Sequence, residues 1–398
     1  MGVGCLARLM ALLPGEDLFL KALRRRAQPR RVEVGPGKRF VIYGAGNFGN
    51  RIRAVLREAG AEVAAFIDRR EFPDGKLDGT PVWHPESAEL GARADGTDGV
   101  VIGVFNHGAN LRDIYALLRS RTRAPVYLAA DLARALPKGA LQVEYWLDIL
   151  EEPAKPEEIA PRLAHVYGLL ADEKSRELLL ELVNLRASFD YEAGYKLLHE
   201  PDLEHQYFPT DLPVPIDTRR MIDCGAFDGD TLAVALQQPA GVERVACFEP
   251  EPRNYRKLVA RVDALATDAE IELFPLAAWH EMAVLSFDSD RGGSSSLASL
   301  AGNAGKVHVQ AVALHDALRD FRPTLLKMDI ESAELSALRG AEKLLKKDRP
   351  QLAICLYHRL DHYYLLPEFV EALGCGYRIY LRQHGFNGME TVMYALAG

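Results

Sequence analysis

Met221-Ile222-Asp223-Cys224-Gly225-Ala226-Phe227-Asp228-Gly229-Asp230-Thr231 decides how this chain is read. Its apolar start predicts a short buried strand, its glycines a tight turn, and its end a helix with Thr231 in the first turn. A helix start carries free N–H groups and partial positive charge, so the junction is a ready ligand site. Asp223, Asp228 and Asp230 place three carboxylates around it. They repel a diphosphate and attract an ammonium or sulfonium group. Glu249 lies twenty residues past Gly229 and ends the run Val245-Ala246-Cys247-Phe248. At that spacing a second strand offers an acid to ribose hydroxyls. A nucleoside bearing an amino acid and a positive centre satisfies both features, which makes S-adenosylmethionine the candidate ligand.

Outward from this motif, strands and helices alternate. Toward the N-terminus, Phe40-Val41-Ile42-Tyr43 predicts a strand that runs into Gly44-Ala45-Gly46-Asn47-Phe48-Gly49. Phe48, Ile52, Val55 and Leu56 then give a helix face. Val63–Ile67, Val100–Val104 and Val126–Leu128 add buried strands, and Asp68 stands 19 residues past Gly49. The expected fold class is α/β with two Rossmann-like units of mostly parallel strands. Boundaries are placed at 1–37 (helical, then irregular), 38–135 (a small Rossmann-like domain), 136–204 (a helical linking region, with helix starts marked by Pro153, Pro156 and Pro161) and 205–398.

The first glycine loop has no carboxylate and can accept a phosphate. A nucleotide or nucleotide-sugar at Gly44, Gly46, Gly49 and Asp68 is one reading; a domain that has lost its ligand is the other. With Phe66-Ile67-Asp68 and Asp78-Gly79-Thr80-Pro81-Val82, this unit resembles the small Rossmann-like domain at the front of some sugar-modifying acyltransferases.

In the C-terminal unit, Asn254–Val262 predicts a helix. Strands are expected at Ile271–Phe274, Ala283–Phe287, Val307–Val312, Thr324–Glu331, Leu352–His358, Tyr377–Leu381 and Thr391–Leu396. The short connection between the last two implies an antiparallel final strand. Ligands of open α/β sheets bind beyond the carboxyl ends of the strands. Asp223, Glu249, Asp329, Glu331 and His358 all fall there. His358, Asp329 and Glu331 are the candidate bases, with a strand-end histidine satisfied by its neighbours as the alternative. Lys327 and Asp329 alternate onto one side of their strand, where a lysine requires a partner. Ser294 and Ser295 border the acceptor pocket or form an ordinary turn. His205-Gln206-Tyr207-Phe208 precedes the central strand and either closes over the ligand or packs a domain seam.

Composition limits the alternatives. The 398 residues are 48% hydrophobic and 26% charged, with a net charge of −8, which argues against a general nucleic-acid binder. The basic cluster Lys21, Arg24, Arg25, Arg26, Arg30 and Arg31 reads as a solvated face or a contact for an anionic partner. Five cysteines without metal-type spacing point to a reducing compartment. No apolar run is long enough to span a membrane, and Arg8 interrupts the apolar N-terminus, so a cytoplasmic location is expected. His315, His358, His362 and His384 lack zinc-site spacing, so no obligatory metal is expected.

Taken together, Gln206-Tyr207-Phe208, the Ile222–Thr231 motif, Phe248-Glu249-Pro250, Lys327-Met328-Asp329-Ile330-Glu331 with Glu334, and Tyr357-His358 resemble the FkbM-type S-adenosylmethionine-dependent methyltransferases. The resemblance spans about 205–398 in the family's order. It implies a class I methyltransferase sheet, S-adenosylmethionine as donor, and O-methylation of a sugar or natural-product hydroxyl. It also implies that the Asp223–Gly229 loop, with Gly225, Ala226, Phe227 and Asp228, holds the methionine part, with Glu249 at the ribose and residues around Ala277, Ala278 and Trp279 near the adenine; Thr231, Pro250 and Tyr207 are further candidate cofactor-binding residues. Ser332 departs from the family, which has glycine after the acid; a position needing φ > 0 would strain it. Two other functions remain: an NAD-dependent oxidoreductase using the first glycine loop, and a non-catalytic module that binds a nucleotide-sugar or a partner.

Overall fold

The computed structural model of the chain describes residues 15–24, 31–137, 140–141, 156–191, 201–288 and 306–397, and all that follows concerns them. Ser294 and Ser295 lie outside this set, as do Arg25, Arg26 and Arg30. The first half contains β1 (Arg39–Tyr43), β2 (Glu62–Ile67), β3 (Lys76–Leu77), β4 (Thr80–Trp83), β5 (Gly99–Ile102) and β6 (Val126–Tyr127). They form one sheet in the order β3-β4-β2-β1-β5-β6, parallel except for β3. The helix Asn47–Glu58 buries Ile52 and Leu56, the face its spacing predicts. β5 ends at Ile102 rather than Val104, because Gly103 and Val104 close over Gly44.

The second half begins with β7 (Arg220–Cys224), β8 (Arg244–Phe248) and β9 (Glu270–Phe274). β10 (Ala277–Trp279), β11 (Ala283–Asp288) and β12 (Lys306–Ala313) then leave to form a separate three-stranded sheet. β13 (Leu325–Met328), β14 (Gln351–Cys355), β15 (Arg378–Gln383) and β16 (Thr391–Leu396) return to the main sheet. Its order is β15-β16-β14-β13-β7-β8-β9. β16 is antiparallel to both its neighbours, as the short connection requires. The four central strands are buried along almost their whole length, which explains their near-continuous apolar sequences.

Other expected elements also change at their ends, and the strand expected over Leu352–His358 runs from Gln351 to Cys355. The strand expected over Thr324–Glu331 stops at Met328, because Glu331 (φ 53) and Ser332 (φ 83) turn the backbone into the left-handed region. Pro161 does not start a helix but lies inside Pro156–Leu169, which begins at Pro156. The next helix, Glu173–Ser188, is capped by Asp172, whose carboxylate accepts from Ser175 N at 2.8 Å. It docks on β15, where buried Arg382 donates to Asp172 and Asp211 at 2.7 and 2.8 Å. Among the described residues, no helix is long and apolar enough to cross a membrane.

Candidate active site

The glycine turn closes on itself through its backbone. Gly225 (φ 78) and Ala226 donate to Phe248 O at 2.9 and 3.1 Å, and Gly229 (φ 86) donates to Ala226 O at 2.8 Å. Phe227, at φ 49, donates its N–H to Glu249 Oε2 at 2.9 Å, while Glu251 N donates to Oε1 at 2.8 Å. Glu249 is therefore the strut between turn and second strand as well as the acid expected there. Burial raises its carboxyl to about 7 in spite of these two donors. Thr231 is buried in the first turn of the helix Asp230–Ala235, and Pro250 follows Glu249 directly.

The ring of three acids differs from the expectation. Asp228 is paired with Arg261 at 2.8 Å, and Asp230 accepts from Thr231 N at 2.7 Å. Asp223 sits opposite Lys327 in the β7–β13 register, with Nζ at 2.9 Å from Oδ1. The partner of Lys327 is thus Asp223 on the neighbouring strand, not Asp329. Both members are almost wholly buried, at 0% and 2% exposure, and Lys327 also donates to Gly225 O at 2.8 Å. Burial alone would strip the charge from the lysine, but the carboxylates of Asp223 and Asp329 hold it protonated. Asp223 Oδ1 is met by Lys327, and Oδ2 has no hydrogen-bond donor among the described residues. A buried acceptor without a donor is a place for a ligand's N–H or cationic group.

Beyond the ends of β13 and β14 lies a second cluster. Tyr207, at φ 69, donates its hydroxyl to Asp329 Oδ2 at 2.7 Å. His358 Nε2 stands 3.3 Å from Asp329 Oδ1 and 3.6 Å from Glu331 Oε2. Its Nδ1 meets Glu334 Oε1 at 2.9 Å. Burial would depress the imidazole, yet Glu334, Glu331 and Asp329 together push it up to about 10. The expected base therefore holds its proton at neutral pH. Glu331, raised by burial to about 7, is the better acceptor.

Sequence reasoning missed one member of this cluster. Glu390, in the hairpin between β15 and β16, accepts from Gln206 Nε2 at 2.5 Å and from Tyr357 Oη at 3.2 Å. Burial and the Asp329 charge raise it to about 7. Its only signal was an acid two residues past Gly388 in that short connection. Insertion of β16 beside β14 is what carries the hairpin to the site. A loop of the first half braces it: Phe386 N donates to His107 O at 2.8 Å and Asn387 Nδ2 to Ala109 O at 2.7 Å. His107 Nδ1 lies 3.5 Å from Glu390.

The two clusters share a wall. A Cβ on Gly225 would lie 1.9 Å from Asp329 O, and Asp329 N donates to Cys224 O at 3.0 Å. Strain gathers here too. Tyr207, Phe227, Glu331, Ser332, Asn387 and Glu390 all have positive φ without being glycine, a feature concentrated at functional sites. Ser332→Gly is expected to raise stability by up to about 1 kcal/mol, relief of the left-handed strain exceeding the entropy glycine adds to the unfolded chain; the urea midpoint measures it. Ala278 and Trp279 are not brought into either cluster. They lie in the three-stranded sheet, where Trp279 O packs against Gly340.

At the first glycine loop, Gly44 takes φ 102 and the backbone closes tightly on Gly49, while Gly46 precedes the helix as its N-cap. Asp68 is already engaged there: it accepts from Ala45 N at 2.8 Å and Arg70 N at 2.9 Å. Burial opposes its ionisation, but the Arg70 guanidinium, at 3.0 and 2.9 Å, and these backbone donors lower it to about 2.

Counted along the chain, the main sheet runs 3-2-1-4-5-7-6, with an antiparallel seventh strand and its polar residues beyond the carboxyl ends. That arrangement defines a class I methyltransferase-like fold. Residues 223–386 match the family model of the methyltransferase FkbM domain, so that segment carries a methyltransferase FkbM domain. Methyltransferase FkbM from Methylobacillus flagellatus KT is similar over 95% of this chain and 93% of its own, at 24% identity and a TM-score of 0.67. At that identity the likeness speaks to the fold. An rRNA methylase from Streptococcus thermophilus is 16% identical over 46% of this chain and 88% of its own, at TM-score 0.31. Aeropyrum pernix fibrillarin, in complex with natively bound S-adenosyl-L-methionine, is 14% identical over 47% and 70%, at TM-score 0.30. Neither of these two carries an argument for this chain. No curated protein matches the sequence.

Proposed function

We propose that the chain transfers a methyl group from S-adenosylmethionine to a hydroxyl of a sugar or natural-product acceptor. The observation that supports this most is the buried Asp223 carboxylate, paired with Lys327 through Oδ1 and with Oδ2 left without a donor among the described residues, beside a glycine turn strutted by Glu249. Residues of this kind fit the donor: Asp223 and the Gly225–Gly229 backbone toward the methionine part, Glu249 toward the ribose hydroxyls. When bound, the donor supplies a methyl group already activated by its sulfonium. The chain's share is alignment and one proton. Positioning of this kind can contribute about 7–11 kcal/mol of barrier reduction.

Asp329 and Glu331 face the acceptor side of the Gly225 wall. Cationic His358 orients them from below, with Glu334 holding its far nitrogen. Glu331 and Glu390, both near 7, take the hydroxyl proton. The oxidoreductase alternative is less well supported, because Asp68 already spends its oxygens on Ala45 and Arg70.

Calorimetry with S-adenosylmethionine and its demethylated product tests the reading; absence of uptake of both would sink it. Uptake is expected to weaken as pH falls through about 7, approaching about tenfold per unit, because protonated Glu249 accepts fewer ribose hydrogen bonds. Glu249→Gln should bind more weakly than the wild type above pH 7 and lose that slope. For the apo chain the sign is opposite. With the Glu249 value raised from 4.5 to about 7, its contribution to stability is full below 4.5 and is lost as pH rises through about 7.

A further inference from the structure

We propose that the first half of the chain is a functional part of the methyl-transfer site: its loop 106–109, gripping Asn387, holds the β15–β16 hairpin where Glu390 faces the acceptor. Asn387 is thereby a positioning residue, and the inference rests on the methyl-transfer reading. Asn387 is 1% exposed, and its amide nitrogen donates to Ala109 O at 2.7 Å and to Asn106 O at 3.4 Å. Phe386 N donates to His107 O at 2.8 Å. Both attachments lie within four residues of Glu390. The same loop reaches the acid itself, with His107 Nδ1 at 3.5 Å from its carboxylate.

Local preference does not give the hairpin tip its shape. Asn387 (φ 65), Gly388 (φ 78) and Glu390 (φ 54) all lie in the left-handed region. Glycine takes it freely and asparagine tolerates it, but a glutamate stays there only when its surroundings over-determine the conformation. Those surroundings come from two sides. Gly388 presses on the helix Glu173–Ser188, where a Cβ would stand 2.7 Å from Leu182. Gly385 faces the loop, where a Cβ would stand 2.8 Å from His107 Cβ and 3.0 Å from Glu390 Cγ. The loop is itself anchored in the first half. Phe105 lies 6.4 Å, ring to ring, from Phe48 in the helix Asn47–Glu58, and Asn110 caps the helix Leu111–Arg121 through Asp113 N at 3.1 Å. A loop fixed at both ends sets the hairpin's position instead of following it.

What this clasp fixes is the acid. Glu390 accepts from Gln206 Nε2 and Tyr357 Oη, which stay behind if the hairpin lifts. Among the described residues, the titratable groups that face it are Asp329, Glu331, His358, Tyr357, Tyr207, Cys355 and His107. Burial is the largest cause of its raised value, and the Asp329 charge is the next.

Released from the loop, the carboxylate would meet water and leave Asp329. Both changes lower it toward the ordinary 4.5 and make it a weaker base for the acceptor hydroxyl. The first half therefore acts on the proton-transfer step without touching the donor's glycine turn.

Carbon-13 NMR of the full chain labelled at its glutamate carboxyls reads the hairpin's position without any ligand, the Glu390 signal being assigned by its loss in Glu390→Gln. A midpoint of about 7 is expected. Asn387→Asp keeps the side-chain shape but turns its donors into acceptors, and should lower that midpoint by about one unit or more. Gly385→Ala, at an ordinary φ of −108, should do the same by wedging hairpin and loop apart. Adding His107→Gly removes the atom the wedge strikes and should restore about half of the shift, while His107→Gly alone does not lower the midpoint. Gly241→Ala, at φ 67 and outside the clasp, should cost stability and leave the midpoint in place, which a merely structural role of Asn387 would also do. An unmoved Glu390 in Asn387→Asp and Gly385→Ala, or a wedge that His107→Gly does not relieve, overturns the proposal. Hydrogen exchange at Phe386 N–H of the unaltered chain needs no variant to fold: protection is expected, and free exchange overturns the proposal as well. Calorimetry with S-adenosylmethionine keeps the two readings apart. A chain that takes the donor but whose Glu390 ignores these variants refutes this inference alone; a braced hairpin in a chain that takes no donor refutes methyl transfer alone.

Discussion

Gly225→Ala is expected to cost more than about 4 kcal/mol of stability, with loss of a cooperative urea transition as the extreme outcome. A Cβ there would stand 1.9 Å from Asp329 O and 3.2 Å from the Ile330 side chain, at φ 78. The left-handed backbone alone accounts for about 1–2 kcal/mol. The remainder comes from forcing apart two strand ends that cannot yield, because Asp329 N and Cys224 O are hydrogen-bonded across them at 3.0 Å. Gly241→Ala separates the two contributions. That glycine has φ 67 and nothing within 4 Å of its Cβ position, so only the backbone cost of about 1–2 kcal/mol should appear. Equal losses at the two positions would show that close packing at the Gly225 wall is not what demands glycine.

Lys327→Met is expected to cost about 3–5 kcal/mol in urea, because it leaves the Asp223 charge buried without its partner. It also removes the donor to Gly225 O at 2.8 Å. Burial already raises Asp223 even beside Lys327, so the sign of the pH effect follows. Without the lysine the carboxyl is raised further. Its contribution to stability is then full below its unfolded value and is lost as pH rises through the folded one. The loss in Lys327→Met should accordingly be larger at pH 8 than at pH 5. The double variant Lys327→Met/Asp223→Asn should regain part of the difference, since no charge is left buried. A loss of less than about 1 kcal/mol in the single variant, independent of pH, would contradict the buried ion pair.

Much of this protein was legible without coordinates. The runs Met221–Cys224, Val245–Phe248, Leu325–Met328 and Leu352–Cys355 are apolar along their length because strands covered on both faces require it. Gly225, Gly229 and Glu249 could be read because turn geometry and strand spacing are local properties of the chain. The partners of the charged groups could not. Lys327 alternates with Asp329 along its own strand, yet pairs with Asp223 because the β7–β13 register sets those two residues opposite each other. Glu390 was invisible because its distance from Tyr357 and Gln206 is set by where β16 inserts, a long-range choice that no short window of sequence contains. His358 was identified as a residue, but its charge was not. Three carboxylates from beyond β13 and from the helix Glu334–Asp348 meet it only in the folded chain, and together they outweigh the burial that would neutralise it. Local patterning fixed the elements and the glycine turn; the packing of distant elements decided which acids face one another, and therefore where protons and cations reside.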